Sequence, residues 1–260
     1  MEEVEQYLQR IGMDAHVGGP SIELLTALQL AHMTTVPFEN LHVFHRRGPR
    51  TDVAWSWPKV VEQRRGGWCF ELNGAFGALL DRLGFAVDYV SCQVWDPPPV
   101  GWGPDLDHLA LVVTLDDARW LVDVGFGDNC VHPLLIETSE RDAIPKRTRL
   151  DVVDGVVEMC DLVPTEGKEQ WERQLRFTFM PRALSEFEPR SLHLRTDPAS
   201  TWWKKPFATR ATDGAGGRIT LRSDTLRITP PGGATEVRPV APSEWSDLLL
   251  EHFGLSDTGP

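Results

Sequence analysis

The sequence of 260 residues has no hydrophobic stretch approaching the roughly 18 residues that a membrane-spanning helix requires. Its first ten residues, MEEVEQYLQR, lack the apolar core of a secretory signal. Basic residues are outnumbered, with 26 lysines and arginines against 38 aspartates and glutamates and a formal charge of −12. This balance argues against a general nucleic-acid-binding surface, which needs clustered cations. We therefore expect a cytoplasmic protein that binds neither a membrane nor nucleic acid.

Cysteine is also scarce, and no two cysteines form a CxxC pair, which excludes a zinc ribbon and a dithiol redox motif. His42 and His45 form an HxxH pair, but no glutamate-bearing helix frames them, so we expect no metal site. In a chain of this kind each cysteine is by default a small buried residue. The four cysteines are Cys69, Cys92, Cys130 and Cys160.

The hydrophobic periodicity changes along the chain. The first 84 residues follow helical spacing, with Ser21 as a plausible N-cap, and the spacing becomes extended from about residue 85. The last third is less periodic, and Ser243 is expected to cap a final helix that Gly254 ends. Apolar residues make up 41% and charged residues 25%, as in globular proteins. The sequence therefore predicts an α+β fold.

One cysteine has a distinctive position. Gly66 and Gly67 allow a sharp turn, and Cys69 then opens the clearest predicted helix, which Gly84 ends. Free N–H groups and the positive end of the helix dipole stabilise a thiolate there, and the thiolate is the nucleophilic form. Cys69 is therefore a candidate nucleophile, and a buried core cysteine is the alternative.

A thiolate nucleophile needs a base and a group that orients it. The sequence predicts a β-hairpin whose strands cover residues 108–115 and 119–124. A two-residue turn at 116–117 pairs Ala110 with Asp123, so His108 lies diagonal to Asp123 on the same face. His108 and Asp123 are thus candidates for base and orienting carboxylate, while Asp107 is a competing carboxylate. Ordinary strand-end and turn roles are the alternative for both.

Four stretches of the sequence stand out together. They are Val36-Pro37-Phe38-Glu39-Asn40-Leu41, Arg65-Gly66-Gly67-Trp68-Cys69-Phe70-Glu71-Leu72-Asn73, the strand of His108, and Val122-Asp123-Val124-Gly125-Phe126-Gly127. In this order they resemble the arylamine N-acetyltransferase family. The resemblance covers the first 136 residues and is traceable in the tail. It implies an N-terminal helical bundle (1–84), a central β-barrel (85–195) and a C-terminal α/β lid (196–260). A papain-like core of Cys69, His108 and Asp123 is implied with them.

The resemblance also implies a ping-pong reaction. Acetyl-CoA would acetylate Cys69, and an arylamine, arylhydroxylamine or hydrazine would then accept the acetyl group, without a metal. Phe38, Phe126 and Trp202 would line the acceptor pocket. We expect Gly125, Gly127 and Thr196 to contact the acyl donor. Family members often carry Ser-Pro-x-Ser-x-Phe in the tail, where this chain has Asp197-Pro198-Ala199-Ser200-Thr201-Trp202; the larger Trp202 would reshape the pocket.

Other functions stay open at this stage. The same family contains amide synthases that close ansamycin macrolactams and take the acyl group from a carrier-bound polyketide, so an acyl carrier protein is an alternative partner. A papain-like hydrolase would use the same three residues on water. A non-catalytic binding module would have kept only the fold. The sequence does not indicate an oligomeric state.

Overall fold

The computed structural model describes residues 2–14, 17–165 and 167–257. Within these ranges there are seven α-helices: α1 (Glu2–Arg10), α2 (Ile22–Thr35), α3 (Leu41–Phe44), α4 (Val53–Val61), α5 (Cys69–Arg82), α6 (Glu188–Thr196) and α7 (Trp245–Phe253). A 3-10 helix at Leu184–Phe187 precedes α6. No helix in the described part of the chain is long and apolar enough to cross a membrane.

Fourteen strands are described in the same ranges, and every ladder between them is antiparallel. They are β1 (Phe38–Glu39), β2 (Ala86–Asp96), β3 (Gly101–Trp102), β4 (His108–Leu115), β5 (Ala118–Val122), β6 (Leu134–Leu135), β7 (Ser139–Arg141), β8 (Thr148–Val153), β9 (Val156–Thr165), β10 (Lys168–Pro181), β11 (Phe207–Ala211), β12 (Arg218–Arg222), β13 (Thr225–Thr229) and β14 (Glu236–Pro239). The predicted α+β class is therefore confirmed.

Local sequence signals explain most helix ends. The Ser21 side chain accepts a hydrogen bond from the Leu24 N–H at 3.2 Å, which confirms the predicted cap of α2. Helix α5 begins at Cys69 and ends before Gly84, whose φ of 89° lies in the left-handed region. The predicted cap of α7 at Ser243 is wrong. Glu244 is its N-cap residue, and the carboxylate of Glu244 accepts the N–H of Ala241 at 2.8 Å, so it orders the preceding turn.

The large sheet has the strand order β6-β5-β4-β2-β10-β9-β8-β7, with β3 paired to β2. Within the described residues β6 and β7, at the two ends of this order, do not pair with each other. The strands therefore form a curled half-barrel, and not the full β-barrel that the resemblance implies for residues 85–195. Closure removes both sheet edges, whereas this order leaves two short ones.

A second sheet has the order β1-β11-β12-β13-β14, so a strand from the first 84 residues pairs with strands from the last third. Phe38 lies opposite Thr209, and Glu39 lies opposite Ala208. Helix α7 packs on one face of this sheet through Leu248 and Leu249. The chain boundaries 1–84, 85–195 and 196–260 stay a prediction as domain boundaries.

Helix α5 is central to the core, because every residue from 69 to 80 is buried. It packs between the other N-terminal helices and strand β4. Leu111 and Val113 of β4 belong to this helical cluster, whereas Ala110 and Val112 face the interior of the half-barrel. His108 shares the parity of Ala110, so the alternation of β4 aims it at the half-barrel side.

Candidate active site

The turn before Cys69 is held against the segment of Phe38. Gly67 forms a parallel bridge with Phe38, in which the Glu39 N–H donates to the Gly67 carbonyl at 2.8 Å. A Cβ atom on Gly66 would collide with the Pro37 carbonyl oxygen, so only glycine permits this approach. Cys69 is the first residue of α5, as the sequence predicts, and it is 4% exposed.

The hairpin that carries His108 and Asp123 has the predicted register. Leu115 pairs with Ala118 and Leu111 with Val122, which extends to Ala110 opposite Asp123. Asp116 and Asp117 have φ angles of 46° and 64°, the pair of left-handed conformations that suits a two-residue hairpin turn.

The diagonal neighbours on this hairpin are in contact. His108 Nε2 donates to Asp123 Oδ2 at 2.7 Å, and the two residues are 3% and 2% exposed. The Cys69 side chain is close enough to the imidazole for its charge to act on the pKa of His108. The structure therefore brings together the three residues that the sequence selects as candidates.

Asp123 is surrounded by hydrogen-bond donors. Its Oδ1 atom accepts from Asn73 Nδ2 and from the Gly125 N–H, both at 2.8 Å. Its Oδ2 atom accepts from Asn129 Nδ2 at 3.1 Å as well as from His108. Both oxygens are therefore satisfied without water, and the carboxylate is fixed in one orientation.

Sequence reasoning missed Asn73 and Asn129. Asn73 follows Cys69 by four residues, so the two lie on the same face of α5, and this spacing is a signal that was available. Its amide also donates to the Leu109 carbonyl at 2.6 Å, and its oxygen accepts from the Val124 N–H at 3.0 Å. Asn73 thus joins the helix of Cys69 to both strands of the hairpin.

The charges of His108 and Asp123 stabilise each other. Burial alone would lower the pKa of His108, but the Asp123 carboxylate and the Cys69 side chain raise that pKa to about 10. Burial alone would raise the pKa of Asp123, and His108, Asn73 and the Gly125 N–H together lower it instead. The arrangement favours an imidazolium beside a carboxylate, with the cysteine nearby.

Asp107, the competing carboxylate, has a different partner. Its Oδ1 atom accepts two hydrogen bonds from the Arg190 guanidinium of α6, at 2.9 and 2.6 Å. It therefore links α6 to the start of β4. No hydrogen bond or ion pair joins Asp107 to His108 in the described part of the chain, whereas Asp123 bonds the His108 ring directly.

Aromatic rings surround the cysteine and the histidine. Trp202 makes edge contacts with Trp68 and Phe38, with ring centroids 5.7 and 6.1 Å apart, and it belongs to the same buried cluster as Cys69. The Phe126 ring lies 5.1 Å from the His108 ring, also edge-on. The three predicted pocket aromatics thus lie around the candidate triad.

The predicted donor contacts divide into two groups. A Cβ atom on Gly125 would lie 2.7 Å from Cys69 Cα, and one on Gly127 would lie 3.0 Å from the Phe38 ring, so both glycines adjoin the site. Thr196, in contrast, is exposed at the end of α6, and its hydroxyl donates to the Leu192 carbonyl at 2.6 Å. The described contacts do not bring Thr196 to the other site residues.

A groove runs over the face of the five-stranded sheet that is opposite to helix α7. It consists of two adjoining cavities of about 740 and 760 Å³, which share Phe207, Thr220, Arg222 and Arg227. Phe38, Phe126 and Gly127 line the second cavity, so the groove reaches the aromatic site. Neither cavity is lined by Thr196 or Gly125.

Cations are concentrated in this groove, although the chain as a whole is acidic. The first cavity is lined by Lys204, Lys205, Arg222 and Arg227 against one carboxylate, Asp224. The second is lined by Lys146, Arg218, Arg222 and Arg227 against Asp128. Sequence reasoning did not indicate the arginines, because they converge through the alternation of β12 and β13. Such a groove suits an extended anionic ligand.

No group of three or more metal-ligating side chains occurs within residues 2–14, 17–165 and 167–257. The two histidines of the HxxH sequence, His42 and His45, lie in different surroundings. His45 Nε2 lies 2.9 Å from Asp257 Oδ1, at the end of the described chain, and His42 is buried in α3.

The chain is similar to known proteins over nearly its whole length. A family model described as N-acetyltransferase matches residues 21–258. Arylamine N-acetyltransferase from Mycolicibacterium smegmatis is 30% identical, over 96% of this chain and 90% of that protein. The solved arylamine N-acetyltransferase of Salmonella typhimurium is 28% identical with a TM-score of 0.89, over 98% of this chain and 92% of the other. A Mycobacterium marinum arylamine N-acetyltransferase solved in complex with CoA is 28% identical with a TM-score of 0.86, over 96% and 92%.

Proposed function

Because the chain belongs to the arylamine N-acetyltransferase family, we propose that it carries an acetyl group from acetyl-CoA, through an acetyl-Cys69 intermediate, to the nitrogen of an arylamine, arylhydroxylamine or hydrazine. The protein is an enzyme of the arylamine N-acetyltransferase type. The observation that carries the proposed mechanism is the buried hydrogen bond from His108 to Asp123, with the Cys69 side chain close enough to act on the imidazole.

The first half-reaction begins at Cys69. An imidazole whose pKa is raised to about 10 holds a proton at neutral pH, so His108 keeps the proton that the thiol gives up. The thiolate attacks the thioester carbonyl carbon and forms a new C–S bond. The CoA sulfur then leaves and takes the proton from His108. The Cys69 N–H, in the first turn of α5, would stabilise the oxyanion.

The second half-reaction uses the same groups. An aniline nitrogen is mostly neutral at pH 7, so it attacks the acetyl-cysteine carbonyl without first losing a proton. His108 takes a proton from the nitrogen, and the Cys69 thiolate leaves. The edge-on Phe126 ring at 5.1 Å from His108, with Trp202 and Phe38 beyond, supports a flat aromatic acceptor beside the imidazole.

The cationic groove supports a CoA thioester as the donor. Phe38, Thr209, Thr220 and Arg227 are successive partners across four strands, three inter-strand steps or about 14–15 Å in all. The row thus passes from an aromatic end beside Cys69 to a guanidinium end, which matches an acyl thioester with phosphates at its far end. We propose Gly127, Arg222 and Arg227 as donor contacts, and Gly125 as a packing residue.

Intact-protein mass after mixing with acetyl-CoA tests the proposal. The expected result is one acetyl adduct, absent from the C69S variant, which an arylamine removes and water alone leaves in place. Rapid loss of the adduct in water would instead indicate a hydrolase. If no adduct forms, the donor assignment is wrong, and a carrier-fed amide synthase or a binding module takes its place.

A further inference from the structure

A buried ionic cluster lies behind the turn that leads into Cys69. Lys59 of α4 is 2% exposed, and its ammonium contacts both carboxylate oxygens of Glu71 at 2.8 Å. The same ammonium lies 3.7 Å from Glu39 Oε1. Glu39 and Glu71 are each 1% exposed, and Trp55 Nε1 donates to Glu71 at 2.8 Å. Two buried carboxylates therefore share one ammonium.

Both residues are joined to the backbone around Cys69, Glu71 through its carboxylate and Glu39 through its main chain. Glu71 Oε2 accepts the Trp68 N–H at 3.3 Å, one residue before Cys69. The Glu39 N–H donates to the Gly67 carbonyl at 2.8 Å, and the Gly67 N–H donates to the Pro37 carbonyl at 3.3 Å. The cluster thus connects α4, the first turn of α5 and the segment of Phe38, which lines the site.

The ionic cluster packs closely against the backbone of Gly67, so a small shift of its side chains would displace the turn before Cys69. A Cβ atom on Gly67 would lie 2.8 Å from Glu71 Oε2, so the carboxylate rests directly on the glycine backbone. Burial raises the pKa of Glu71, and Lys59 opposes that rise through its charge and hydrogen bonds. A buried ion cluster is often no more stabilising than an apolar replacement of the same volume. We therefore attribute its role to holding the neighbouring backbone in position, and not to stability.

We infer that Lys59 is a positioning residue of the reaction: it holds Glu71 and Glu39 together and so fixes the N-terminal turn of α5 and the Cys69 sulfur against His108. Lys59 does not itself reach the reacting atoms. Without Lys59, the two buried carboxylates would repel each other, and the hydrogen bond from the Trp68 N–H to Glu71 would weaken. Negative charge would also remain beside the end of the helix that stabilises a thiolate. This inference rests on the proposed role of Cys69 as nucleophile.

The test compares K59Q, K59R and R10Q with the parent enzyme. Arg10 is a matched control, because it is also buried, at 5% exposure, and its guanidinium donates to the Val60 carbonyl at 2.9 Å. Two readouts are needed: the second-order rate of Cys69 alkylation by iodoacetamide across pH 5–9, with C69S as blank, and the rate of Cys69 acetylation at saturating acetyl-CoA. Thermal unfolding gives the stability of each variant.

For K59Q we expect both rates at pH 7 to fall at least tenfold, with the alkylation profile moved to higher pH and little change in KM for the donor. K59R should stay within threefold of the parent, since a guanidinium can bridge the same carboxylates. R10Q should lose thermal stability but keep both rates within threefold. Equal losses of stability in K59Q and R10Q, with both rates unchanged in K59Q, would overturn the inference.

A variant that does not fold leaves the test intact. E71Q is the second variant, and it tests position apart from charge, because it leaves one ammonium with one carboxylate. Its amide has a single acceptor oxygen, so it cannot accept from Trp55 Nε1 on one side and from the Trp68 N–H on the other. Its alkylation rate should also fall at least tenfold, and an unchanged rate would overturn the inference. Failure of the proposed function is distinguishable, because the parent enzyme itself would then form no acetyl-Cys69.

Discussion

Replacing Asp123 by asparagine should be costly for folding as well as for catalysis. An ionised carboxylate presents acceptors only, and all four of its hydrogen-bond partners in this structure are donors: His108, Asn129, Asn73 and the Gly125 N–H. An amide of the same shape has one acceptor oxygen and one NH₂ group. In either orientation, the NH₂ group therefore faces two donors.

The neighbourhood repairs only part of this mismatch. With the NH₂ group on the His108 side, a neutral imidazole accepts it through Nε2, but Asn129 Nδ2 stays unpaired. With the NH₂ group on the other side, Asn73 can flip to present its oxygen, but its own NH₂ group then faces the Val124 N–H, which now donates to that oxygen at 3.0 Å. One or two orphaned buried donors at about 1–3 kcal/mol each give a cost of about 1–6 kcal/mol. Breaking a buried ion pair by removing one partner costs about 3–5 kcal/mol, so both arguments converge on about 4 kcal/mol.

Guanidinium unfolding followed by tryptophan fluorescence at pH 6 measures this cost directly. D161N is the control, because Asp161 is also buried at 3% exposure but accepts only the Thr148 hydroxyl at 2.8 Å and Lys146 at 3.5 Å. We expect about 4 kcal/mol for D123N and about 1 kcal/mol for D161N, at unchanged m-values. A loss below about 1 kcal/mol for D123N would refute the four-donor argument.

The difference between the parent and D123N should depend on pH. Asp123 has a lowered pKa, so its contribution is present above the ordinary value of 3.8 and is lost as pH falls through the folded value. His108 has a pKa raised from 6.5 to about 10, so its contribution is complete below 6.5 and is lost as pH rises through about 10. The stability difference should therefore be larger at pH 5.5 than at pH 9.5, and equal values would contradict the pairing.

Four further substitutions test the site. C69S should lose acetyl transfer while C92A keeps it, and transfer by C69S within about tenfold of the parent, about 1.4 kcal/mol of barrier, would exclude Cys69 as the nucleophile. W202F should change the ratio of rates between small and bulky arylamines while stopped-flow acetylation by acetyl-CoA stays the same; slower acetylation with unchanged ratios would place Trp202 at the donor. G125A introduces a Cβ atom 2.7 Å from Cys69 Cα and should cost about 1–3 kcal/mol in urea unfolding, with slower acetylation, whereas a stable, fast variant would mean the contact relaxes freely. R227Q should raise KM for acetyl-CoA severalfold and weaken its dependence on salt, and an unchanged salt dependence would remove Arg227 from the donor site.

The parts of the site that the sequence predicts are those that local rules determine. Helix α5 begins at Cys69 because a glycine turn precedes an amphipathic run, and the hairpin register follows from a two-residue turn and strand parity. Those two rules suffice to bring His108 to Asp123 and leave only the docking of α5 to tertiary structure. The family motifs then indicate the chemistry.

The parts that the sequence does not predict depend on contacts between distant segments. Asn129 reaches Asp123 from a loop, and Lys59 reaches Glu71 from another helix, so neither role has a local pattern. The arginine face of the groove adjoins Phe38 only because β1 pairs with β11, which joins Phe38 to Thr209 far along the chain. Whether the large sheet closes into a barrel is equally non-local, so the sequence does not predict that it forms an open half-barrel.

The two-residue turn at Asp116 and Asp117 has a consequence for how this chain can change over evolution. Side chains alternate between the faces of a strand, so an insertion or deletion of one residue between His108 and Asp123 would move one of them to the helix-facing side unless a bulge absorbed it. Substitutions along the hairpin leave that alternation intact. An active site built on His108 and Asp123, as proposed, therefore constrains the number of residues in this segment as well as the identities of these two.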